Sequence, residues 1–272
     1  MKMKYVLIYT IAFIWLFWTL FPLYFMAVTS VKTQMEFFTT SPWQFPAKPT
    51  FENFKNVLSS GFLRNILNSV IVSGISVLLN LFVSTMASFA FARFNHKVFN
   101  WLFLIFVAGL SIPLHVTLIP IFVITKRIGL YDTLMALMGP YIASQLPVTI
   151  LVLTNFMRGI PREIEDAAKI EGCNSWDLYW RIILPLSKPA IVSLGMFNLV
   201  MYWNEFVYAL TLLSTPSKWT MTLGLFQFQG RYSINVPGML SAVTISTLPV
   251  LLAYIFFQDK IVEGMTMGAT KG

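Results

Sequence analysis

The chain has 272 residues, of which 57% are hydrophobic and only 11% charged, against roughly 45–50% and about 25% in soluble domains. This composition excludes a soluble globular domain and a disordered one, and the net charge of +8 is too thinly spread for a nucleic-acid-binding face. A single cysteine, Cys173, rules out an intrachain disulfide, and two distant histidines, His96 and His115, suggest no zinc site.

Charges are costly in hydrocarbon, so the gaps between them mark candidate membrane spans. The first gap runs from Lys4 to Lys32 and holds 27 uncharged residues. Lys2 and Lys4 could begin a signal peptide, but the apolar run from Tyr5 to about Val28 is too long for one, so a retained anchor is expected. The second gap, Arg64 to Arg93, holds 28 residues, and its Ser84, Ser88 and Ala92 repeat at a spacing that permits close helix approach. The third, Lys97 to Lys126, holds 28 and contains Pro113 and Pro120; the fourth, Asp132 to Arg158, holds 25 and contains Pro140 and Pro147. Such prolines either break a helix beside a cavity or are merely tolerated in membrane helices. The fifth gap, Lys188 to Lys218, holds 29 residues interrupted only by Glu205, and the sixth, Arg231 to Asp259, holds 27. Each exceeds the roughly 20 residues needed to cross a bilayer. The expected fold class is an all-α polytopic membrane protein with six transmembrane helices. With the N-terminus inside, eleven basic residues lie on the inner side and eight on the outer, which favours both termini being cytoplasmic.

The segment Arg158 to Pro189 differs from every other connection, with five basic and five acidic residues in 32 positions. It reads as two short helices. The first begins at Pro161, carries Glu163, Glu165 and Asp166 in its opening turns, and ends at Gly172. Ile164, Ala167 and Ala168 fall on one narrow face of small residues. The second begins at Ser175 and stops before Pro185, with Trp176, Tyr179, Trp180 and Ile183 crowding one side. An alanine-faced helix at a membrane surface is either a plain connector or a knob that enters a partner's groove.

Asp166-Ala167-Ala168, three residues, Gly172, nine residues, Ile182, one residue and Leu184-Pro185 resemble the EAA loop of ABC importer permeases, written E-A-A-x3-G-x9-I-x-L-P. The departure is Asp166 in place of the usual Glu, and Glu165 beside it could share the role. Trp203-Asn204-Glu205-Phe206 is similar to the W-N-E-F stretch of the carbohydrate-uptake, maltose-permease-G-like branch. The ending Gly264 to Gly272 resembles that branch's tail, and Pro42 to Asn53 resembles its first outer loop. The resemblance implies a type I ABC importer fold with a cytoplasmic coupling helix. It divides the chain into an anchor and outer loop (1–64), a transmembrane core (65–258, coupling loop 158–189) and a cytoplasmic tail (259–272).

The same resemblance implies a permease subunit of an ATP-driven importer in a bacterial or archaeal cell (inner) membrane, taking a sugar or oligosaccharide from an extracytoplasmic solute-binding protein. Its implied partners are a homologous permease, a cytoplasmic ABC ATPase dimer, membrane lipid and the sugar, with no nucleic acid. No G-x-x-x-x-G-K-[ST] sequence is present, so no cofactor is expected on this chain; ATP and Mg belong to the ATPase, and this subunit is not an enzyme. Glu165, Asp166, Ala167, Ala168, Gly172, Ile182, Leu184 and Pro185 are the expected coupling residues. Asn198, Trp203, Asn204 and Glu205 are candidates for the substrate path, Glu205 because an intramembrane carboxylate is a functional candidate; partial hydration near the outer interface is its alternative. Gln227, Gln229 and Arg231 are candidates for contact with the binding protein. Two other readings remain open at this stage: an ABC permease for another small solute, and a stand-alone secondary transporter using Glu205.

Overall fold

A computed structural model of the chain describes residues 2–228 and 235–269, and the regular elements among them are all helical. Gln229 and Arg231, the side chain of Gln227, residues 270–272 and the side chains of the tail from 260 lie outside the described residues.

The first window forms α1 (Lys2–Ser30), followed by α2 (Gln34–Thr39) and α3 (Glu52–Ser59). The connection is sewn to the end of α1 by polar side chains. The Asn53 amide donates to the carbonyls of Ser30 and Lys32 at 2.9 and 2.7 Å. Lys32 is itself fully buried, its ammonium donating to Thr40 Oγ1 (3.2 Å) and the Ser41 carbonyl (2.9 Å). Gly61, at φ +84°, turns the chain into α4 (Phe62–Arg93), whose 32 residues make a rod of about 48 Å.

In the third window the prolines' first reading, a broken helix, holds. The window forms α5 (Lys97–Gly109) and α6 (Leu114–Arg127), bent by 102° at the break. Pro113 has no N–H to donate and pushes Ile112 out of helical geometry, so the helix ends before it. A Cβ on Gly109 would lie 3.5 Å from the Pro147 ring, so the end of α5 rests closely on α7 (Met135–Arg158). Pro120, Pro140 and Pro147 are carried inside helices.

The loop between the fourth and fifth windows contains α8 (Arg162–Ile170), α9 (Ser175–Asp177), a π-helical turn (Leu178–Ile183) and α10 (Leu184–Leu186), then bends by 70° at Ser187 into α11 (Lys188–Trp203). Three boundaries differ from expectation. Pro161 precedes α8 rather than opening it. Asn174, not Ser175, caps α9, its Oδ1 accepting from the N–H groups of Trp176 (2.8 Å) and Asp177 (3.0 Å). The second helical segment runs through Pro185 instead of stopping before it, because the Leu184 N–H reaches back five residues to Tyr179. That wider turn relieves the clash a proline ring otherwise makes with the carbonyl four residues earlier. The fifth window ends early at Trp203 and resumes as α12 (Val207–Leu212), followed by α13 (Met221–Gly224) and α14 (Val236–Ala269).

Among the described residues four helices are each long and apolar enough to span a membrane, and the count is six when each of the two bent pairs is one span. α4 and α7 form the most extensive pair, with α11 against both α4 and α14, and α1 along α14. Ser84, Ser88 and Ala92 are buried, and the Ser88 hydroxyl donates to the Ile150 carbonyl of α7 at 3.2 Å. The repeat of small residues thus serves close approach. A polar seam continues it: Asn80 Nδ2 donates to the Ile142 carbonyl (3.2 Å), and Asn198 Nδ2 of α11 donates to Asn80 Oδ1 and Thr149 Oγ1, both at 3.1 Å. One apolar cluster (Val72, Leu137, Tyr141, Tyr202, Leu212) and a second (Phe89, Met157, Ala168, Leu178, Ile183) pack near opposite ends of α4.

Candidate coupling site

α8 is short, and only two of its nine residues are buried, Glu165 and Ala168. Acidic Glu163 and Glu165 occupy its first turn and Lys169 its last, the arrangement that complements a helix dipole. Gly172, at φ +88°, closes it: the Gly172 N–H reaches the Lys169 carbonyl (3.0 Å) and the Cys173 N–H reaches the Ala168 carbonyl (3.0 Å). This pair of bonds satisfies the final carbonyls and requires a residue at ease with positive φ.

The expected face of Ile164, Ala167 and Ala168 divides. Ala168 turns inward and joins Phe89, Ala92, Met157, Leu178, Tyr179 and Ile183. Ala167 is exposed, with Ile164 at 40% and Ile170 at 87% exposure beside it. Asp166 is exposed as well, in a surface ion pair with Lys169 at 3.2 Å. Its neighbour Glu165 points the opposite way, into a buried ion pair with Arg93 at the end of α4. The helix therefore presents a free arc around Ala167, with Glu163, Ile164, Asp166 and Ile170, while the Glu165–Ala168 side is held by the chain itself. Ile182 and Leu184 pack partly buried beneath α8, and Pro185 is exposed. They lie away from the free arc of α8.

The segment around α8 is fastened to α4 and α5 by contacts that sequence patterning did not show. Tyr179 of the π turn shares a hydrogen bond with Thr85 of α4 (2.9 Å) and packs on Phe89 with ring centroids 5.3 Å apart. Arg93 Nη2 donates to the Ile160 carbonyl (3.3 Å), and Arg158 Nη2 donates to the Phe91 carbonyl (3.2 Å) while lying over the Phe103 ring. These arginines entered the sequence reading only as topology charges.

The four candidates in the fifth window do not form one site. Asn198 is fully buried and spends its amide on Asn80 and Thr149. Trp203 is 5% exposed, packed with Val57, Phe62, Ile66, Met221 and Ala242, so its ring face is not available for stacking on a sugar. Asn204 is exposed and donates back to the Val200 carbonyl at 2.8 Å. Glu205 sits in the break between α11 and α12. Its carboxylate accepts from the N–H groups of Tyr208 (2.7 Å) and Ala209 (3.2 Å) and from the Tyr141 hydroxyl (3.0 Å), while its carbonyl accepts from Thr222. It satisfies the open N–H groups of α12, which in hydrocarbon have no water to turn to.

A second charged node lies at the other end of the molecule. Asp132 adopts φ +58°, and its carboxylate accepts from Ser214 N–H, Thr215 N–H, Thr215 Oγ1 and the Lys218 ammonium at 2.6–2.9 Å. Partial burial pushes this carboxyl up, yet the Thr215 hydroxyl and N–H, Lys218 and the Ser214 N–H outweigh it and hold the group well below its ordinary range. The signal was present in the sequence as a lone Asp between two spans, but its partners lie more than 80 positions away.

Residues 80–267 match the family described as binding-protein-dependent transport system inner membrane component. The chain is 51% identical over 258 residues, 94% of each sequence, to the ABC transporter permease protein ORF2 of Caldicellulosiruptor sp. strain Rt8B.4. It is 33% identical to the sulfoquinovosyl glycerol transport system permease protein SmoH of Agrobacterium fabrum, covering 93% of this chain and 89% of that one. Its fold is similar to a chain of a bacterial ABC transporter involved in import of the acidic polysaccharide alginate. That likeness has a TM-score of 0.80 at 17% identity and covers 95% of this chain and 96% of the other.

Proposed function

Since this chain belongs to the family of binding-protein-dependent transport system inner membrane components, we propose that it and a second permease subunit form the membrane path by which a sugar or oligosaccharide enters the cell. It is a permease subunit, a transport component without ATPase chemistry of its own. The solute class follows its 33% identity to a permease named for a sugar glycoside, together with the W-N-E-F stretch at Trp203–Phe206. A solute-binding protein delivers the sugar, and two ATPase subunits on the α8 side drive the cycle.

The observation that carries this reading is the geometry of α8: a helix closed by Gly172, seated on one side by Ala168 and bare on the other around Ala167. A small exposed side chain flanked by Ile164 and Ile170 suits insertion into a shallow cleft, with Glu163 and Asp166 setting the register. The α8 end is accordingly cytoplasmic, and α4 through α14 alternate from it in the order that the basic residues suggest. Glu205 serves as an internal cap on this reading, and its three donors argue against a proton-driven transporter built on it.

Ala167→Trp tests the docking arc. The expected result is normal accumulation in the membrane with loss of the co-purifying ATPase and of oligosaccharide uptake by cells. Uptake that survives at wild-type rate with the ATPase still bound would sink the docking assignment.

A further inference from the structure

α8 is tied to the membrane helices by very little. Ala168 contributes one methyl group to an apolar cluster. The remaining link is ionic: Arg93 and Glu165, with side chains 5% and 6% exposed, pair at the end of α4. Arg93 Nε faces Glu165 Oε1 directly, guanidinium against carboxylate, and Arg93 Nη2 meanwhile anchors to the Ile160 carbonyl in the turn before α8. An apolar methyl contact slides under load. Two opposite charges out of water resist both compression and separation, because neither can leave the other without being buried alone.

The other end of α4 is fastened just as specifically. Asn68 Nδ2 donates to the carbonyls of Ser217 (3.1 Å) and Trp219 (2.9 Å), and Ser69 Oγ accepts from the Met221 N–H (2.8 Å). Asn68 and Arg93 are 25 residues apart on one uninterrupted helix, a separation of about 37 Å. We propose that Glu165 is a positioning residue and not a docking one: the Arg93–Glu165 pair is the joint through which displacement of α8 enters α4, and α4 carries it to the 217–221 segment on the opposite face. This rests on the permease reading above and deepens it by separating the two adjacent carboxylates of α8, Asp166 for the partner and Glu165 for the chain's own lever.

The test uses the whole transporter (this chain, its partner permease and the ATPase dimer) in lipid nanodiscs, with Mg-ATP and with or without the solute-binding protein. Wild type, Glu165→Gln, Arg93→Gln and the exchange Arg93→Glu with Glu165→Arg are compared. Nitroxide labels are placed at Lys169, exposed and off the docking arc, and at exposed Leu78, with Cys173→Ser as background. In the single variants the ATPase is expected to co-purify at wild-type level, while stimulation of ATP hydrolysis by the binding protein falls about tenfold, the size typical of a residue that tunes coupling. The Lys169–Leu78 distance stays fixed on trapping with ATP and vanadate in wild type and spreads in Glu165→Gln. The exchange restores both. Full stimulation in Glu165→Gln, loss of the ATPase from it, or no recovery in an assembled exchange variant each overturns the joint. If a single variant fails to accumulate, the exchange decides alone. Wild type that retains no ATPase would instead overturn the permease reading itself.

Discussion

At the scale of single residues, one step along a helix separates opposite roles. Glu165 and Asp166 are adjacent and chemically alike, yet a rotation of about 100° per residue sends one into a buried pair and the other to the surface. Gly172 is the residue whose role spacing alone disclosed, since a glycine after a charged amphipathic helix marks a left-handed closure. A Cβ there meets nothing within 4 Å, so Gly172→Ala costs only backbone strain, roughly 1 kcal/mol. The expected outcome is a small drop in thermal midpoint, measured by circular dichroism, with the ATPase still bound, and Gly172→Asn is tolerated better. What stayed hidden was the partner of Glu165. Arg93 stands 72 positions earlier, and no periodicity links the two.

Among elements, the same rule holds on a larger scale: spans were legible, but the seams between them were not. The edges of α4 and α7 fall within three residues of their charge-free windows, because the cost of a charge in hydrocarbon sets them. The break at Pro113 was not distinguishable in the sequence from the tolerated Pro120, Pro140 and Pro147, since each lacks the same N–H and the packing of α5 on α7 at Gly109 and Pro147 is a contact between distant positions. Asn198 was a path candidate as an amide on a face similar to that of Glu205; in the fold that amide clamps Asn80 and Thr149 on two other helices, partners that no spacing in the sequence announced. Asn198→Leu is expected to lower unfolding stability in detergent by about 1 kcal/mol, the upper part of the range for interhelical bonds in membranes. Combining it with Thr149→Val should give less than the sum of the two losses. Strict additivity in that cycle would remove the clamp.

For the whole molecule, the described helices tie two ends together, one organised by Arg93, Arg158 and α8, the other by Lys32, Asn68 and Asp132. The Asp132 knot joins the α6–α7 turn to the chain after α12, so it limits how far the connections at that end can separate. Its carboxyl is held below its ordinary range, so its stabilisation is complete at neutral pH and down to the usual carboxylate pKa near 4. Below that, folding must hold off a proton that the unfolded chain accepts. Stability should then fall with pH more steeply in wild type than in Asp132→Asn, which at neutral pH is weaker by roughly 1–3 kcal/mol; parallel pH profiles from thermal melts would dismiss the knot. The two sides of α8 also answer to different histories. On the docking proposed above, the arc around Ala167 changes only in step with another gene's product, whereas Glu165 and Ala168 change in step with residues of the same chain. An ATPase borrowed from a different importer would therefore ask for new residues at Glu163, Ile164, Asp166 and Ile170, and leave Arg93 and Glu165 as they stand.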